Sequence, residues 1–169
     1  MMASVLQGER VTLRPALRED AAALLAILRE PEVARWWGHN DLADVEEEIA
    51  GTETYVIVVE DATAGWLHVN EETEPEFRHA GLDIALTTRV HGRGLGQEAL
   101  RLAITALIER GHHRFTIDPA VANERAIRSY AALGFKAVGI LRQYERAPDG
   151  VWRDGLLMDL LAFELSPPP

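Results

Sequence analysis

His91-Gly92-Arg93-Gly94-Leu95-Gly96-Gln97-Glu98-Ala99-Leu100 sets three alternating glycines between a strand pattern and a helix pattern. Before them, Gly81-Leu82-Asp83-Ile84-Ala85-Leu86-Thr87 alternates apolar with small or polar residues. After them, Leu95, Ala99, Leu102, Ala103 and Ala106 recur at helical spacing, which predicts a helix near residues 94–110. Glycine lets the backbone approach a ligand closely, and the free N–H groups at a helix start bind phosphate. The stretch therefore points to a phosphorylated cofactor held at the start of this helix. Taken alone, a glycine-rich turn without a ligand would have the same composition.

A dinucleotide reading also fits part of the pattern. Gly94-x-Gly96-x-x-Ala99 matches that fingerprint, and Asp118 follows after the apparent strand Arg114-Phe115-Thr116-Ile117. The position argues against it. Such a turn normally follows a first strand, yet roughly ninety residues precede this one, and about seventy follow.

Moving outward, Glu9 to Arg14 reads as a first strand closed by Pro15. A helix carrying Ala21, Leu24, Leu25 and Leu28 on one face ends before Pro31, and Asp41-x-x-Asp44 caps a short helix through Ile49. Thr54 to Val59 is a buried strand, Asp61 to Gly65 a turn, Trp66 to Val69 its hairpin partner, and Glu71 to Glu76 a loop. Late strands fall around Lys136 to Tyr144 and Arg153 to Leu161, joined at Ala147-Pro148-Asp149-Gly150. This order is that of a mixed α/β chain folded as one domain over residues 1–169.

Composition narrows the chemistry. The chain has no cysteine, which excludes disulfides, thiolate metal sites and a cysteine acyl-enzyme. The net charge of −10 is concentrated: Asp41 to Glu76 holds twelve acids and no Lys or Arg. Such a run is ordinarily a solvated face, but an acidic wall also attracts cations and repels nucleic acid. No apolar run reaches membrane length and no signal pattern opens the chain, so a cytoplasmic protein without membrane partners is expected. His39, His68, His112 and His113 show no metal-ligand spacing; they read as structural or surface residues, and no metal is expected.

A second motif follows the glycine loop. Asn123-Glu124-Arg125-Ala126-Ile127-Arg128-Ser129-Tyr130-Ala131-Ala132-Leu133-Gly134-Phe135 resembles the GNAT N-acetyltransferase signature that follows that family's pyrophosphate loop. The loop's first position departs from the family pattern, with His91 in place of Gln or Arg; backbone amides do not depend on that side chain. The resemblance implies a mostly antiparallel sheet of six to seven strands, flanked by helices, with two splayed parallel central strands. It implies acetyl-CoA as cofactor, bound by His91, Gly92, Arg93, Gly94, Leu95 and Gly96. The acyl arm would then lie along Ile84, Ala85 and Leu86, near Asn123 and Tyr130. Tyr130 would be the proton donor to the leaving sulfur, although its spacing alone suits a core aromatic; Asn123 alone suits a helix cap.

A closer resemblance is to aminoglycoside 6′-N-acetyltransferases, carried by Glu71-Glu72-Thr73-Glu74-Pro75 with Gly81-Leu82-Asp83, by Asp118-Pro119-Ala120-Val121-Ala122-Asn123, and by Trp36-Trp37-Gly38. It implies Asp83 and Glu72 as candidates for proton removal. Glu72, Asp83, Asp118, Trp36 and Trp37 become candidates for holding a cationic amine substrate, in an antibiotic-resistance enzyme that is a monomer or homodimer. An insertion of about two residues near Phe77 to Ala80 departs from that pattern. Gly8 to Pro15 and Gly139 to Tyr144, with Asp149-Gly150 and Arg153-Asp154, resemble instead the ribosomal-protein N-terminal acetyltransferases. Lysine acyl transfer in siderophore assembly, or coenzyme A sensing without catalysis, would also suit a chain with these motifs.

Overall fold

A computed structural model describes residues 4–169. In chain order the elements are β1 (Leu6–Gln7), β2 (Val11–Pro15), α1 (Ala21–Leu28), α2 (Pro31–Trp37), α3 (Leu42–Gly51), β3 (Glu53–Val59), β4 (Ala62–Glu72), β5 (His79–Leu86), α4 (Leu95–Glu109), β6 (Arg114–Ile117), α5 (Glu124–Leu133), β7 (Lys136–Arg146) and β8 (Trp152–Leu161). The strands form one sheet in the order β1-β2-β3-β4-β5-β6-β8-β7, antiparallel except for β5 beside β6. The expected mixed sheet is thus present with eight strands among the described residues rather than six or seven. The addition is β1, a two-residue strand too short to leave a pattern.

Period-two burial separates the two faces of the sheet. Leu67, Val69, Ala80, Leu82 and Phe115 pack with α4 and the end of α5 on one face. Val56, Trp66 and Ala85 pack with α1, α2 and α3 on the other. Asp83, out of phase with Leu82, lies on this second face, opposite His68 of β4. As expected, Asp41 caps α3: its carboxylate accepts from Asp44 N–H at 3.0 Å, and Asp44 returns the bond to Asp41 N–H at 2.8 Å.

α1 ends before Pro31, as expected, and Pro31 opens a further helix, α2, because proline is preorganised for the first helical position. Two local expectations are corrected. The β3–β4 turn is tighter than expected: Glu60 and Asp61 both have positive φ, so β4 already begins at Ala62. Glu71 and Glu72 are not loop; they pair with Ala80 and His79 and extend the β4–β5 hairpin.

The parallel pair is brief. β5 and β6 match only at Ala80↔Phe115 and Gly81↔Thr116. Beyond Ile117 the chain turns away from β5 and bonds to β8. Leu156 N–H donates to the Pro119 carbonyl at 2.8 Å, Val121 N–H donates to the Asp154 carbonyl at 2.9 Å, and Ala120 bridges Gly155. The β5 edge from Leu82 to Leu86 is therefore left without a strand partner on that side.

Candidate active site

The glycine loop is braced from three directions. Glu30 accepts from the Thr87 hydroxyl at 2.6 Å and from both the Thr88 N–H and hydroxyl at 2.8 Å. Arg10 donates to the Arg93 carbonyl at 2.8 Å, while Glu98 holds the Arg10 side chain and the N–H groups of Arg10 and Val11. Arg125 donates to His91 Nδ1 at 2.7 Å, so the imidazole proton sits on Nε2, which donates to the Leu86 carbonyl at 2.8 Å.

Within this frame the backbone is shaped to receive an anion. Gly92 and Gly94 have φ of 74° and 73°, a region costly for any side chain. A Cβ on Gly96 would lie 3.1 Å from Leu86 Cδ1. The N–H groups of residues 92–97 have no acceptor among the described residues, and the last of them belong to the first turn of α4. A cleft of about 640 Å³ runs from this loop along the open β5 edge. It is lined by Gly92, Gly94, Leu95 and Gly96, by Ile84, Ala85 and Leu86, and by His91, Asn123, Tyr130, Trp36 and Trp37. Of the residues expected around the cofactor, Arg93 alone does not line it; its guanidinium turns outward to Glu60 at 2.7 Å.

The donor set fits a pyrophosphate-bearing coenzyme: free N–H groups at a helix start, then an unpaired strand edge. Asn123 caps α5, its side chain accepting from Ala126 N–H at 3.3 Å, and still faces the cleft. Tyr130 stands edge-on to Phe135, with ring centroids 6.2 Å apart. Burial, and then the charges of Asp83 and Asp118, push its hydroxyl above the usual phenol range. The phenol therefore carries its proton at neutral pH.

The carboxylates gather beside the cleft rather than on its wall: none of Asp83, Asp118, Glu48 and Glu145 lines it, but Tyr130, which does, feels the charges of Asp83 and Asp118. Burial pushes the Asp83 carboxyl up to about 6, with Asp118, Glu48 and Glu145 adding to the shift. Asp118 is also raised, chiefly by burial, and accepts a 2.6 Å bond from the Tyr144 hydroxyl. A carboxylate titrating near 6 is mostly ionised at neutral pH yet a better proton acceptor than an ordinary one. Glu72 is not in this group. It lies on the same face, but four residues along β4 from the partner of Asp83, or about 13 Å away, and its carboxylate accepts from Glu74 N–H at 2.8 Å.

The two tryptophans divide their work. Trp37 packs on Trp66 with ring centroids 5.5 Å apart, inside the α1–α2–α3 core. Trp36 lies between the guanidinium groups of Arg35 and Arg153, at 4.8 and 5.1 Å from its ring. Arg153 also donates to the carbonyls of Arg35 and Trp36 and bonds to Glu145 at 2.9 Å, tying β8 to the end of α2. His68 is buried and held neutral, its pKa pushed down to about 4 by burial. Sequence reasoning missed Tyr144, Glu145, Arg153 and Glu48. Each acts across tertiary contacts that no local spacing reveals.

Residues 10–136 match the family model described as an acetyltransferase (GNAT) domain, and the chain belongs to the GNAT family of N-acetyltransferases. GNAT acetyltransferases use acetyl-CoA. The chain is similar to the aminoglycoside N(6′)-acetyltransferase type 1 of Klebsiella pneumoniae, with 29% identity over 171 residues, 85% of this chain and 80% of the relative. The structure of AAC(6′)-Ib in complex with parmomycin and acetyl-CoA superposes with a TM-score of 0.75 at 27% identity, covering 92% of this chain and 97% of that one. Mycobacterium smegmatis RimJ in complex with CoA-disulfide shares the fold, with a TM-score of 0.85 at 22% identity over 98% of this chain and 91% of that one.

The raised Asp83 has a consequence for stability. Ionised Asp83 is less favourable in the folded chain than in the unfolded one. The penalty is full above about pH 6 and vanishes below the unfolded value near 4. Asp83→Asn is expected to raise the melting temperature at pH 8, with the gain shrinking to nothing as the pH falls to 4. Thermal unfolding of both proteins across that range checks it; a gain independent of pH would contradict the assignment.

Proposed function

We propose that this chain, acting as one domain, transfers an acetyl group from acetyl-CoA to a primary amine of a polycationic small molecule of the aminoglycoside kind. The observation that carries this reading is the convergence of Asp83 and Asp118, backed by Glu48 and Glu145, where β5 and β6 part beside Tyr130. An ammonium entering here meets two carboxylates that lack cationic partners of their own among the described hydrogen bonds and ion pairs. The likeness to aminoglycoside acetyltransferases supports the same acceptor class.

Acetyl-CoA, when bound, supplies the activated acyl group. His91, Gly92, Arg93, Gly94, Leu95 and Gly96 would hold its pyrophosphate, through backbone N–H groups more than side chains. The open edge at Ile84, Ala85 and Leu86 would orient the acyl arm and offer N–H groups to the carbonyl oxygen. Asp83 takes the proton from the acceptor ammonium, directly or through water, and frees the nitrogen lone pair. The freed nitrogen would attack the thioester carbon as the carbon–sulfur bond breaks; the Tyr130 hydroxyl would protonate the departing sulfur and regain its proton, through solvent, from the acylated nitrogen. Asp118 holds the ammonium during approach. Glu72, too distant for proton removal, would bind a second ammonium of the same acceptor. Trp36 and Trp37, both on the cleft wall, would pack against the acceptor's ring system.

The test is thiol release from acetyl-CoA by purified protein with aminoglycosides, monoamines and ribosomal N-terminal peptides as acceptors. The reading predicts turnover with the polycations far above the monoamines, and an acetylated amine in the product by mass spectrometry. Turnover confined to the peptides would overturn it in favour of N-terminal acetylation.

Replacing Tyr130 by Phe removes only the hydroxyl. Turnover is expected to fall about 10²-fold, the usual size of a general-acid effect, with the KM for acetyl-CoA unchanged. Steady-state kinetics check this, and a wild-type rate in a variant limited by chemistry would return Tyr130 to a packing role.

A further inference from the structure

The β7–β8 hairpin carries a built irregularity beside the carboxylates. Leu141 pairs with Gly155 and Glu145 with Arg153, so three β7 residues stand opposite the single residue Asp154. The extra chain is held, not slack. Gln143 has φ of 47°, and its N–H donates to the Asp154 carboxylate at 2.7 Å. Bulges of this kind re-aim side chains near functional sites. Here the bulge directs Tyr144 across β8, and its hydroxyl reaches Asp118 on the far side at 2.6 Å.

The crossing depends on Gly155. This residue lies between the two, bridged to Ala120 of the Asp118 loop on one side and paired with β7 on the other. A Cβ at position 155 would come within 2.9 Å of Tyr144 Cδ2 and 3.4 Å of its Cγ. Gly155 is buried by the ring that lies on it. Any side chain there would push the ring away from Asp118.

We propose that Tyr144 is a positioning residue for the acceptor: seated on Gly155 by the β7 bulge, it holds one oxygen of Asp118 and leaves the other facing the incoming ammonium beside Asp83. This rests on the reading of the Asp83–Asp118 pocket as the acceptor site. It has a consequence in pH. Asp118 is faced by Asp83 from β5, Glu145 and Tyr144 from β7, and Tyr130 from α5; Glu48 of α3 adds its charge through Asp83, and Arg153 of β8 is already bound to Glu145. Among the groups around it, Tyr144 stabilises the charged form of Asp118, against burial and Glu145. A hydrogen bond to an ionised group is worth about a tenfold change in equilibrium, or about one pH unit. Without it, Asp118 takes up its proton at higher pH.

Two variants remove the contact by different routes. Tyr144→Phe deletes the hydroxyl and keeps the ring; Gly155→Ala keeps the hydroxyl and displaces the ring. The titration of Asp118 is read by carbon NMR on protein labelled at aspartate carboxyls, and the KM values for aminoglycoside and acetyl-CoA are read from pH 5.5 to 8.5. In Tyr144→Phe, Asp118 is expected to titrate about one unit higher. The aminoglycoside KM should rise toward the acidic end of the range, by no more than the roughly tenfold that a shift of about one unit allows, and recover toward its alkaline end, with the acetyl-CoA KM unchanged. Gly155→Ala should follow it wherever that variant folds. An unchanged Asp118 titration in Tyr144→Phe, or a KM increase equal at every pH, overturns the inference while leaving the acceptor pocket standing if Asp118→Asn still weakens acceptor binding. No effect of Asp118→Asn on the aminoglycoside KM overturns the pocket reading itself, and this inference with it.

Discussion

The parting of β5 from β6 after two paired residues is the constraint on which the rest of the molecule depends. Backbone N–H and C=O groups must find partners, and a strand edge inside a sheet ordinarily finds them in its neighbour. Here the neighbour leaves. Pro119 brings no N–H, and the segment from Pro119 to Val121 pairs with Leu156, Gly155 and Asp154 of β8 instead of β5. The open edge from Leu82 to Leu86 is therefore a consequence of β8 winning the competition for the β6 extension. It runs from the glycine loop toward Asp83, so on the proposed reading an extended ligand held by its phosphates at one end would present its other end to the carboxylates.

The same parting gives the site its electrostatics. Asp83 and Asp118 come from strands that diverge around them, and both are raised by burial before any neighbour acts. Asp83 is half-buried without an arginine or lysine partner among the described residues, unlike Asp20, which Arg14 holds below its ordinary range at 2.6 Å. The contrast separates a carboxylate that stabilises the fold from the one proposed here to take a proton. Cations are present nearby but committed elsewhere: Arg153 to Glu145 and the α2 carbonyls, Arg125 to His91. On the proposed reading, Asp83 and Asp118 are thereby left for a cation from solution.

How much of this could be read from the sequence follows the range of the interactions. The glycine loop, the α3 capping box and the Asn123 cap are local, and short motifs describe them well. The phase of Asp83 opposite Leu82 is also local, and it named the correct face of the sheet. Pro31 was ambiguous because one residue can end one helix and begin the next. Glu72 carried the motif but lies two side-chain rows from Asp83 along the hairpin, a distance that only the strand register reveals. Tyr144 was invisible as a site residue because its reach depends on a bulge, on Gln143 with positive φ and on Gly155 across the hairpin. Arg153 meets the carbonyl of Arg35 across 118 positions of chain, beyond any spacing rule.

If unpaired carboxylates at the parted strands are what select the acceptor, charge must dominate acceptor binding. The most direct measurement is calorimetric binding of an aminoglycoside to the coenzyme A complex over a series of salt concentrations. Exposed charges are screened over about 10 Å at 0.1 M salt and less above it. The account predicts affinity that falls steeply with salt for a polycation and hardly changes for a neutral amine of similar size. Equal, salt-independent affinity for both would contradict it, and would leave the acidic segment as solvated surface.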